Sequence, residues 1–257
     1  MASRVSARRQ LEFVADDLGM NTQINRAIRS AHEQGVLTGA GLMLGQPGTS
    51  EAIQLLAELP DLQAGWHLHL CDSKPLSMSD WPWGSSPVRA GFLLSCTSAH
   101  RRLVRVEIQA QWAAFRDTGF PCRFINTHHH LHLHPFVHDV IMETVGDADG
   151  AWFRGGAFRA FGSREGLVPR ITRHVGNSLC SSFKQGGVLP RPDTVWGVDR
   201  LYSMRSAEII QAIEKLPAGL HEFIFHPGHQ EMDQDLQTLI QLQRKRQILD
   251  GYPRKSV

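Results

Sequence analysis

The chain is organised around one stretch, Asn126-Thr127-His128-His129-His130-Leu131-His132-Leu133-His134-Pro135, in which five of the ten residues are histidine. The preceding residues, Arg123-Phe124-Ile125, predict the start of a β-strand. Pro135 suits the first turn of a helix, where its missing N–H costs no hydrogen bond. The histidines are therefore expected between the end of a strand and the start of a helix, and in α/β folds this edge of the sheet binds ligands.

The spacing of these histidines predicts that several share a face. In an extended strand alternate side chains point the same way, which places together His128, His130, His132 and His134. Imidazole can both bind a metal and move a proton near neutral pH. A purification tag does not explain the run, because tags are terminal and uninterrupted. Core histidines are the alternative, although each would then need its own hydrogen-bond partner.

Length and composition are those of an ordinary globular protein. The chain has 257 residues and a net charge of +2, which is too small to favour a nucleic-acid partner. The length suits one large α/β barrel or two smaller domains, and no repeat or shift in composition marks a boundary. We expect one domain over residues 1–257, with a core at about 11–230 and a C-terminal helix at about 233–249.

Cysteine usage and hydropathy indicate the cellular compartment. The four cysteines are widely spaced and form no C-x-x-C pair, which favours neither a disulfide framework nor a structural zinc site. No apolar run approaches the roughly 20 residues that span a bilayer, and the N-terminus lacks an apolar signal core. These features predict a cytoplasmic protein. The basic tail, Arg244-Lys245-Arg246, leaves open a weak peripheral contact with an anionic membrane.

Adjacent carboxylates end the first predicted strand, Leu11–Ala15. Asp16 and Asp17 follow it directly and precede Gly19. Neighbouring side chains diverge in a strand or turn, so one carboxylate can bind a metal while the other accepts a proton. The alternative is a surface turn, since Asp and Gly are common turn residues.

Other predicted strands place further polar side chains near their ends. His67 and His226 each lie near the carboxyl end of a predicted strand, and Arg154 ends a third. His67 is equally well explained as a hydrogen-bonded core histidine. Arg154 suits binding of a carboxylate or the ordering of a catalytic acid, with a structural ion pair as the alternative.

Residues 72–98 predict a long irregular stretch that contains Trp81 and Trp83. Loops of this length are often lids or binding loops. Trp83 is a candidate for stacking on a sugar, and the alternative is that the tryptophans pin the loop to the body of the protein.

Together these strand ends predict a hydrolytic metal site. Two histidines and one carboxylate on a divalent ion leave positions for water and substrate. A second carboxylate would take the proton of the water, and a separate histidine would protonate the leaving group. This assembly fits hydrolysis of an amide or an ester. The ligand set suits zinc, cobalt or manganese, and magnesium is also compatible.

Four motifs in register resemble those of the YdjC-like (ChbG-like) carbohydrate deacetylases. The resemblance runs from about residue 12 to residue 230 and rests on Ala15–Gly19, Gly65–Leu68, Asn126–His132 and Phe225–Pro227. It implies a distorted single-domain (β/α) barrel of the polysaccharide-deacetylase type.

The resemblance also implies roles for individual residues. Asp17, His67 and His128 would hold one divalent metal ion. Asp16 matches the general base, and His226 matches the general acid. The remaining histidines of the motif, His130 and His132, would contact the substrate or support the metal ligands.

The ending His-x-His-x-His-x-His-Pro, together with Trp196-Gly197 and the segment Leu220–Pro227, most resembles the HpnK branch of this family. This implies removal of an N-acetyl group from a glucosaminyl hopanoid, a lipid-linked amino sugar. Leu18, Trp66 and Gly228 differ from the residues usual in the family, which leaves the shape of the substrate pocket open.

Two other functions are compatible with the same residues. One is a metal-dependent amidase or esterase that acts on a substrate other than a sugar. The other is a histidine-rich metal-binding protein without catalytic activity, which would not need Asp16 once Asp17 binds the ion. A homodimer is left open by the sequence.

Overall fold

A single sheet of parallel strands forms the centre of the molecule. The computed structural model describes residues 9–146, 148, 150–161, 167–183, 189–198, 204–229 and 233–245. Within these ranges eight strands pair in the order β5-β4-β3-β2-β1-β8-β7-β6. The strands are β1 (Arg9–Leu18), β2 (Gly39–Leu42), β3 (Gln63–Leu68), β4 (Phe124–Thr127), β5 (Trp152–Phe153), β6 (Ala157–Arg159), β7 (Thr194–Trp196) and β8 (Gly219–Phe225).

The sheet curls until its two edges are joined by three residues, 154–156. β5 pairs with β4 and β6 pairs with β7, both in parallel, so β5 and β6 are two halves of one interrupted strand. Backbone bonds from Phe153 N to Pro190 O (2.9 Å) and from Ala157 N to Asp193 O (3.3 Å) hold the join. A side chain at Gly156 would lie 2.1 Å from Pro192 O, which explains the glycine. The predicted distorted (β/α) barrel is confirmed.

Helices follow most strands and cover the outside of the barrel. They are α1 (Thr22–Gln34), α2 (Thr49–Glu58), α3 (Pro87–Cys96), α4 (Ser98–Asp117), α5 (Pro135–Val145), α6 (Leu167–Ser182), α7 (Ser206–Glu214) and α8 (Gln234–Arg244). Asn21, Ser86, Thr97 and Asp233 cap four of them by accepting a hydrogen bond from a backbone N–H of the first turn. None of the described helices is both long and apolar enough to cross a membrane.

The observed helices change one predicted boundary and shorten the described part of another element. The stretch 72–98 is not irregular throughout, because Ser86 and Pro87 start α3 within it, at the cap and first-turn positions where these residues are favoured. The C-terminal helix predicted at 233–249 is observed from Gln234 to Arg244, and residues 246–249 lie outside the described residues. That residues 1–257 form a single domain stays a prediction.

Glycines on β2 and β3 make room inside the barrel for larger side chains. A Cβ at Gly65 would stand 2.2 Å from the Phe124 ring, and one at Gly39 would stand 2.8 Å from it. Phe124 stacks on Trp152 at 5.1 Å and belongs with Val14 to a buried cluster. Because β1 is not a neighbour of β4 or β5, this cluster crosses the barrel interior and closes it below the carboxyl ends of the strands.

Candidate active site

Asp17 lies at the centre of a buried group formed by three strand ends. Its Oδ1 is 3.1 Å from His67 Nε2, at the end of β3, and 2.8 Å from His128 Nδ1, directly after β4. All three side chains are at least nine-tenths buried. The sequence prediction that these distant residues meet therefore agrees with the structure.

Adjacent Asp16 and Asp17 both face the site, which a regular strand would not allow. The pairing of β1 with β2 shifts register between Ala15 and Leu18, and Asp17 has a φ of 68°. Asp is among the few residues that tolerate this left-handed conformation. Such an irregularity re-aims a side chain, so the two carboxylates lie side by side but contact different partners.

The group of side chains around Asp17 has the donor chemistry of a divalent-cation site. One ligand atom each from Asp17, His67 and His128 lies within 4.8 Å of the others. Burial alone would raise the pKa of Asp17, but the charge of His128 and the hydrogen bond from its imidazole hold it well below its usual range. Asp17 is therefore ionised, as a metal ligand must be.

Asn126 fixes the tautomer of His67. Its Nδ2 donates to Asp16 Oδ1 (2.9 Å), so its Oδ1 is left to accept from His67 Nδ1 (2.6 Å). His67 Nδ1 is then the protonated nitrogen, and its Nε2 presents a lone pair towards Asp17. This is the arrangement in which an outer hydrogen bond orients a metal-binding imidazole. Asn126 was part of the quoted stretch, but its role was not predicted.

Arg154 holds Asp16 with two hydrogen bonds. Nη1 donates to Oδ2 (2.6 Å) and Nη2 donates to Oδ1 (2.9 Å), and neither side chain has appreciable exposure. Burial opposes ionisation of Asp16, but the charge of Arg154 and its hydrogen bonds outweigh it and hold the pKa of Asp16 below its usual range. Arg154 thus forms the ion pair given as the alternative, with the candidate base as its partner, and a role in ordering that base stays a prediction. The second partner of Arg154 is Glu222, which accepts from Nε at 2.8 Å.

His226 faces Asp16 from the end of β8. Its Nε2 lies 3.9 Å from Asp16 Oδ2, and its backbone N donates to Asp235 Oδ2 at 2.9 Å. Burial lowers the pKa of His226 to about 4, despite the opposing effect of the nearby carboxylates. His226 is therefore a neutral imidazole at neutral pH in the absence of substrate.

His229 is a site residue that the sequence analysis missed. Its Nε2 lies 2.9 Å from Asp17 Oδ2, the oxygen opposite the one that faces His67. Gly228 lets the chain turn back, since it has a φ of 90° and a Cβ there would meet Ile24 Cα at 2.8 Å. The spacing His226-Pro-Gly-His229 was the available signal, because a Pro-Gly turn brings flanking side chains together.

The predicted alternation of the histidine run is wrong. β4 ends at Thr127, and residues His128–Leu133 form a 3₁₀ turn in which His129 and His130 both have a φ of 54°. The Thr127 hydroxyl accepts from His132 N (2.9 Å) and contacts His132 Nδ1 (2.8 Å). These local bonds compete with continuation of the strand, so the four histidines do not share one face.

The later histidines of the run have separate surroundings. His132 is fully buried against Phe153, with ring centroids 5.4 Å apart. His130 is half-buried and lies 5.8 Å from the His132 ring. His134 lies further out, where its Nε2 is 3.0 Å from Ser95 Oγ on α3. His132 therefore supports the turn that positions His128, while a substrate contact at His130 stays a prediction.

Trp83 is placed in the core and away from solvent. Its side chain is 1% exposed, its Nε1 donates to Leu70 O (2.6 Å), and it stacks on Trp81 at 5.6 Å. The same loop is held at a second place by Glu107 of α4, which accepts hydrogen bonds from the backbone N of Leu76 (2.8 Å) and of Ser77 (2.7 Å). The geometry favours the alternative that these tryptophans pin the loop to the barrel over stacking on a sugar.

Curated relatives share half of the chain. The carbohydrate deacetylase of Vibrio campbellii is 33% identical over 131 residues, which are 50% of this chain and 52% of the relative. The carbohydrate deacetylase of Geobacillus stearothermophilus is 34% identical over 132 residues, or 49% of this chain and 52% of the relative. The chain therefore spans about half the length of the curated relatives it matches.

A solved structure and a family model extend the likeness to nearly the whole chain. A crystal structure from Enterococcus faecalis, described provisionally as a cellobiose-phosphate cleavage protein, has a TM-score of 0.65 at 19% identity and covers 94% of both chains. This match shows a common fold. The sequence model of the YdjC-like proteins matches residues 10–255. The chain belongs to the YdjC-like protein family.

Proposed function

We propose that this protein is a metal-dependent hydrolase that removes an N-acetyl group from an N-acetylated amino sugar. The observation that carries the proposal is the meeting of Asp17, His67 and His128 at one point, beside an Asp16 that is held for a different task. Family membership and the names of the curated relatives support the carbohydrate substrate. Catalysis by a metal-assisted site of this composition fits amide hydrolysis.

Asp17, His67 and His128 would hold one divalent cation. Zinc and magnesium are the leading candidates, with cobalt and manganese as alternatives, because mixed nitrogen and carboxylate ligands suit each of them. When bound, such an ion polarises the amide carbonyl and lowers the pKa of water at the site.

Asp16 is the residue that accepts the proton of the attacking water. Arg154 and Asn126 occupy three hydrogen-bonding positions on its carboxylate and fix its plane. They also keep it ionised, so that it is ready to accept a proton. A base held in this way needs no reorganisation when the water attacks.

His226 gives a proton to the leaving nitrogen. It is neutral before attack, so the proton that it gives is the one that Asp16 has taken from the water; negative charge that develops on the substrate favours the imidazolium form that carries it. Its Nε2, 3.9 Å from Asp16 Oδ2, lies close enough for both residues to reach one reacting group from different sides. The carbon–nitrogen bond then breaks, acetate retains the hydroxyl oxygen, and the amine leaves with the added proton.

Acetate release from N-acetylglucosaminyl substrates tests the proposal. The metal-loaded protein should release acetate, and Asp16→Asn should retain the metal but lose at least about 100-fold in kcat. Asp61→Asn, an exposed aspartate between α2 and β3, is the matched control and should behave as the parent. Absence of acetate with every such substrate would contradict the proposal, and full activity of Asp16→Asn would reject its assigned role.

The same variant separates the other two functions. A metal carrier would bind its ion with or without Asp16 and would hydrolyse nothing. An amidase or esterase for other substrates would cleave simple acetyl amides or esters at least as fast as acetylated sugars. Substituting the loop tryptophans is a poor discriminator, because Trp81 and Trp83 are buried and their loss would disturb folding.

A lipid-linked substrate, the hopanoid implied by the resemblance, is the finer form of the proposal. One surface feature supports peripheral contact with a membrane. On α3, Val88 and Phe92 are 81% and 66% exposed on one side of the helix, and the exposed Arg89 lies next to them. Apolar side chains flanked by arginine suit an anionic lipid surface. A cytoplasmic location and a homodimer stay predictions.

A further inference from the structure

The guanidinium of Arg154 lies between two buried carboxylates. Its Nη1 and Nη2 donate to Asp16, while Nε and Nη2 lie 2.8 and 2.6 Å from Glu222 Oε1. Arg154 and Glu222 have no exposed surface, and Asp16 is 2% exposed. Asp16 thus contacts the outer edge of the guanidinium and Glu222 contacts the edge nearest the arginine stem.

Neutralising Arg154 does not by itself require Glu222. Asp16 already supplies one opposite charge with two hydrogen bonds, and burying a second carboxylate carries a desolvation cost. Glu222 Oε2 moreover has no hydrogen-bond partner among the described residues. Glu222 is therefore buried at a cost while only one of its carboxylate oxygens is hydrogen-bonded, and charge balance alone does not explain its presence.

The position of Glu222 supplies that reason. On β8 it pairs in register with Glu12 of β1, four residues before Asp16, so it lies deeper in the barrel than the candidate base. Arg154 therefore reaches from the interior to the rim and is held at both ends. Without the inner contact, the guanidinium could turn about its stem and the plane of Asp16 would no longer be fixed.

We propose that Glu222 is a positioning residue for the base: it anchors the Nε edge of Arg154 so that the outer edge presents Asp16 in a single orientation. This inference rests on the proposed function, in which Asp16 accepts the proton of the water. Among the described contacts Glu222 reaches Arg154 and none of the candidate metal ligands, and it lies four residues below the level of Asp16. Its effect is on kcat, since misorientation of a base slows chemistry without weakening substrate binding.

Refilling the arginine site with free guanidinium tests this directly. Arg154→Ala should lose at least 100-fold in kcat. Millimolar guanidinium should then raise the kcat of this variant at least tenfold. Adding Glu222→Leu to Arg154→Ala should abolish the restoration, whereas adding Glu222→Gln, which keeps an acceptor oxygen, should preserve most of it. The Arg154→Ala background avoids leaving an uncompensated buried guanidinium, so the double variants are expected to fold.

Guanidinium affinity, measured by calorimetry, gives a readout that does not depend on turnover. Its Kd for Arg154→Ala should rise at least tenfold when Glu222→Leu is added and much less with Glu222→Gln. Equal Kd values and equal restoration of kcat in both double variants would overturn the positioning role. If the parent protein releases no acetate, the proposed function fails, while the Kd comparison still decides whether Glu222 anchors the guanidinium.

Discussion

Replacing Gly41 by alanine tests how closely the His67 ring is held at the candidate metal site. Gly41 lies on β2, and an added Cβ would stand 3.0 Å from His67 Cβ and 3.2 Å from its Cγ and Nδ1. Ordinary contacts begin at 3.4 Å, so His67 Cβ must retreat by roughly 0.4 Å and the nearest ring atoms by roughly 0.2 Å, which is the full range that metal–ligand distances tolerate.

The retreat is resisted by the hydrogen bonds of His67. Nδ1 is 2.6 Å from Asn126 Oδ1 and the ring is 1% exposed, so the His67 ring has no open space to move into. Overpacking of this kind costs about 1–3 kcal/mol. If the cost falls on the metal-bound state, Kd for the metal should rise about 5- to 150-fold, since each 1.4 kcal/mol is a factor of ten.

Calorimetric titration of zinc or magnesium into chelator-treated protein would measure this change, with thermal unfolding of the metal-free protein alongside. Gly91→Ala on α3 is the matched control, because a Cβ there meets nothing within 4 Å. Its metal Kd should equal that of the parent. A Gly41→Ala protein with unchanged Kd and unchanged midpoint of unfolding would refute the assignment of His67 as a ligand held by its packing.

Four further outcomes are expected. Gly65→Ala, with its Cβ 2.2 Å from the Phe124 ring, should lower the free energy of unfolding by about 3 kcal/mol or more, and Phe124→Leu should partly restore it in a urea titration. Burial raises the pKa of Glu222 from 4.5 to about 7, so the folded state of the parent loses stability as pH rises through this range. Glu222→Gln lacks this titration and should gain stability relative to the parent from pH 4.5 to about 7, as measured by thermal unfolding. Chelation should lower the melting temperature of metal-saturated protein by about 5–10 °C and have no such effect on Asp17→Asn. Phe92→Ser should weaken sedimentation with anionic vesicles and leave the rate on a soluble substrate unchanged.

Strand ends were predictable because their signals are local. An apolar run that stops at Asp16, His67 or His226 indicates both a strand and the edge of the sheet on which the polar side chain lies. Parallel strands in a barrel bring these edges together, so the meeting of distant residues follows from fold class. The path of residues 128–133 was not predictable in the same way, because the hydrogen bonds of Thr127 decide it and the hydrophobic pattern does not show them.

The missed residues depend on contacts across the barrel. Glu222 alternates on β8 like any inward-facing residue, and only the position of Arg154 on the far side identifies it as an anchor. His229 reaches Asp17 because Gly228 packs closely against α1. Trp83 shows the converse, since an aromatic residue in a long loop has the same sequence signal whether it packs inward or contacts a ligand.

Charge balance in the interior gives an independent reason for a cation at Asp17. Three fully or nearly fully buried carboxylates, Asp16, Asp17 and Glu222, lie near one another, and among the described residues the permanent cation that contacts them is Arg154. Burial keeps His226 neutral, so without a metal the second positive charge comes from a proton on His128, which faces Asp17. An imidazole that binds a metal is neutral, so this proton and a metal are alternatives. Burial of unpaired charge is costly unless a counter-charge or a metal accompanies it. A divalent ion bound by Asp17 would supply the missing charge, so that Asp16 can stay ionised as a base without a proton being forced on one of its neighbours.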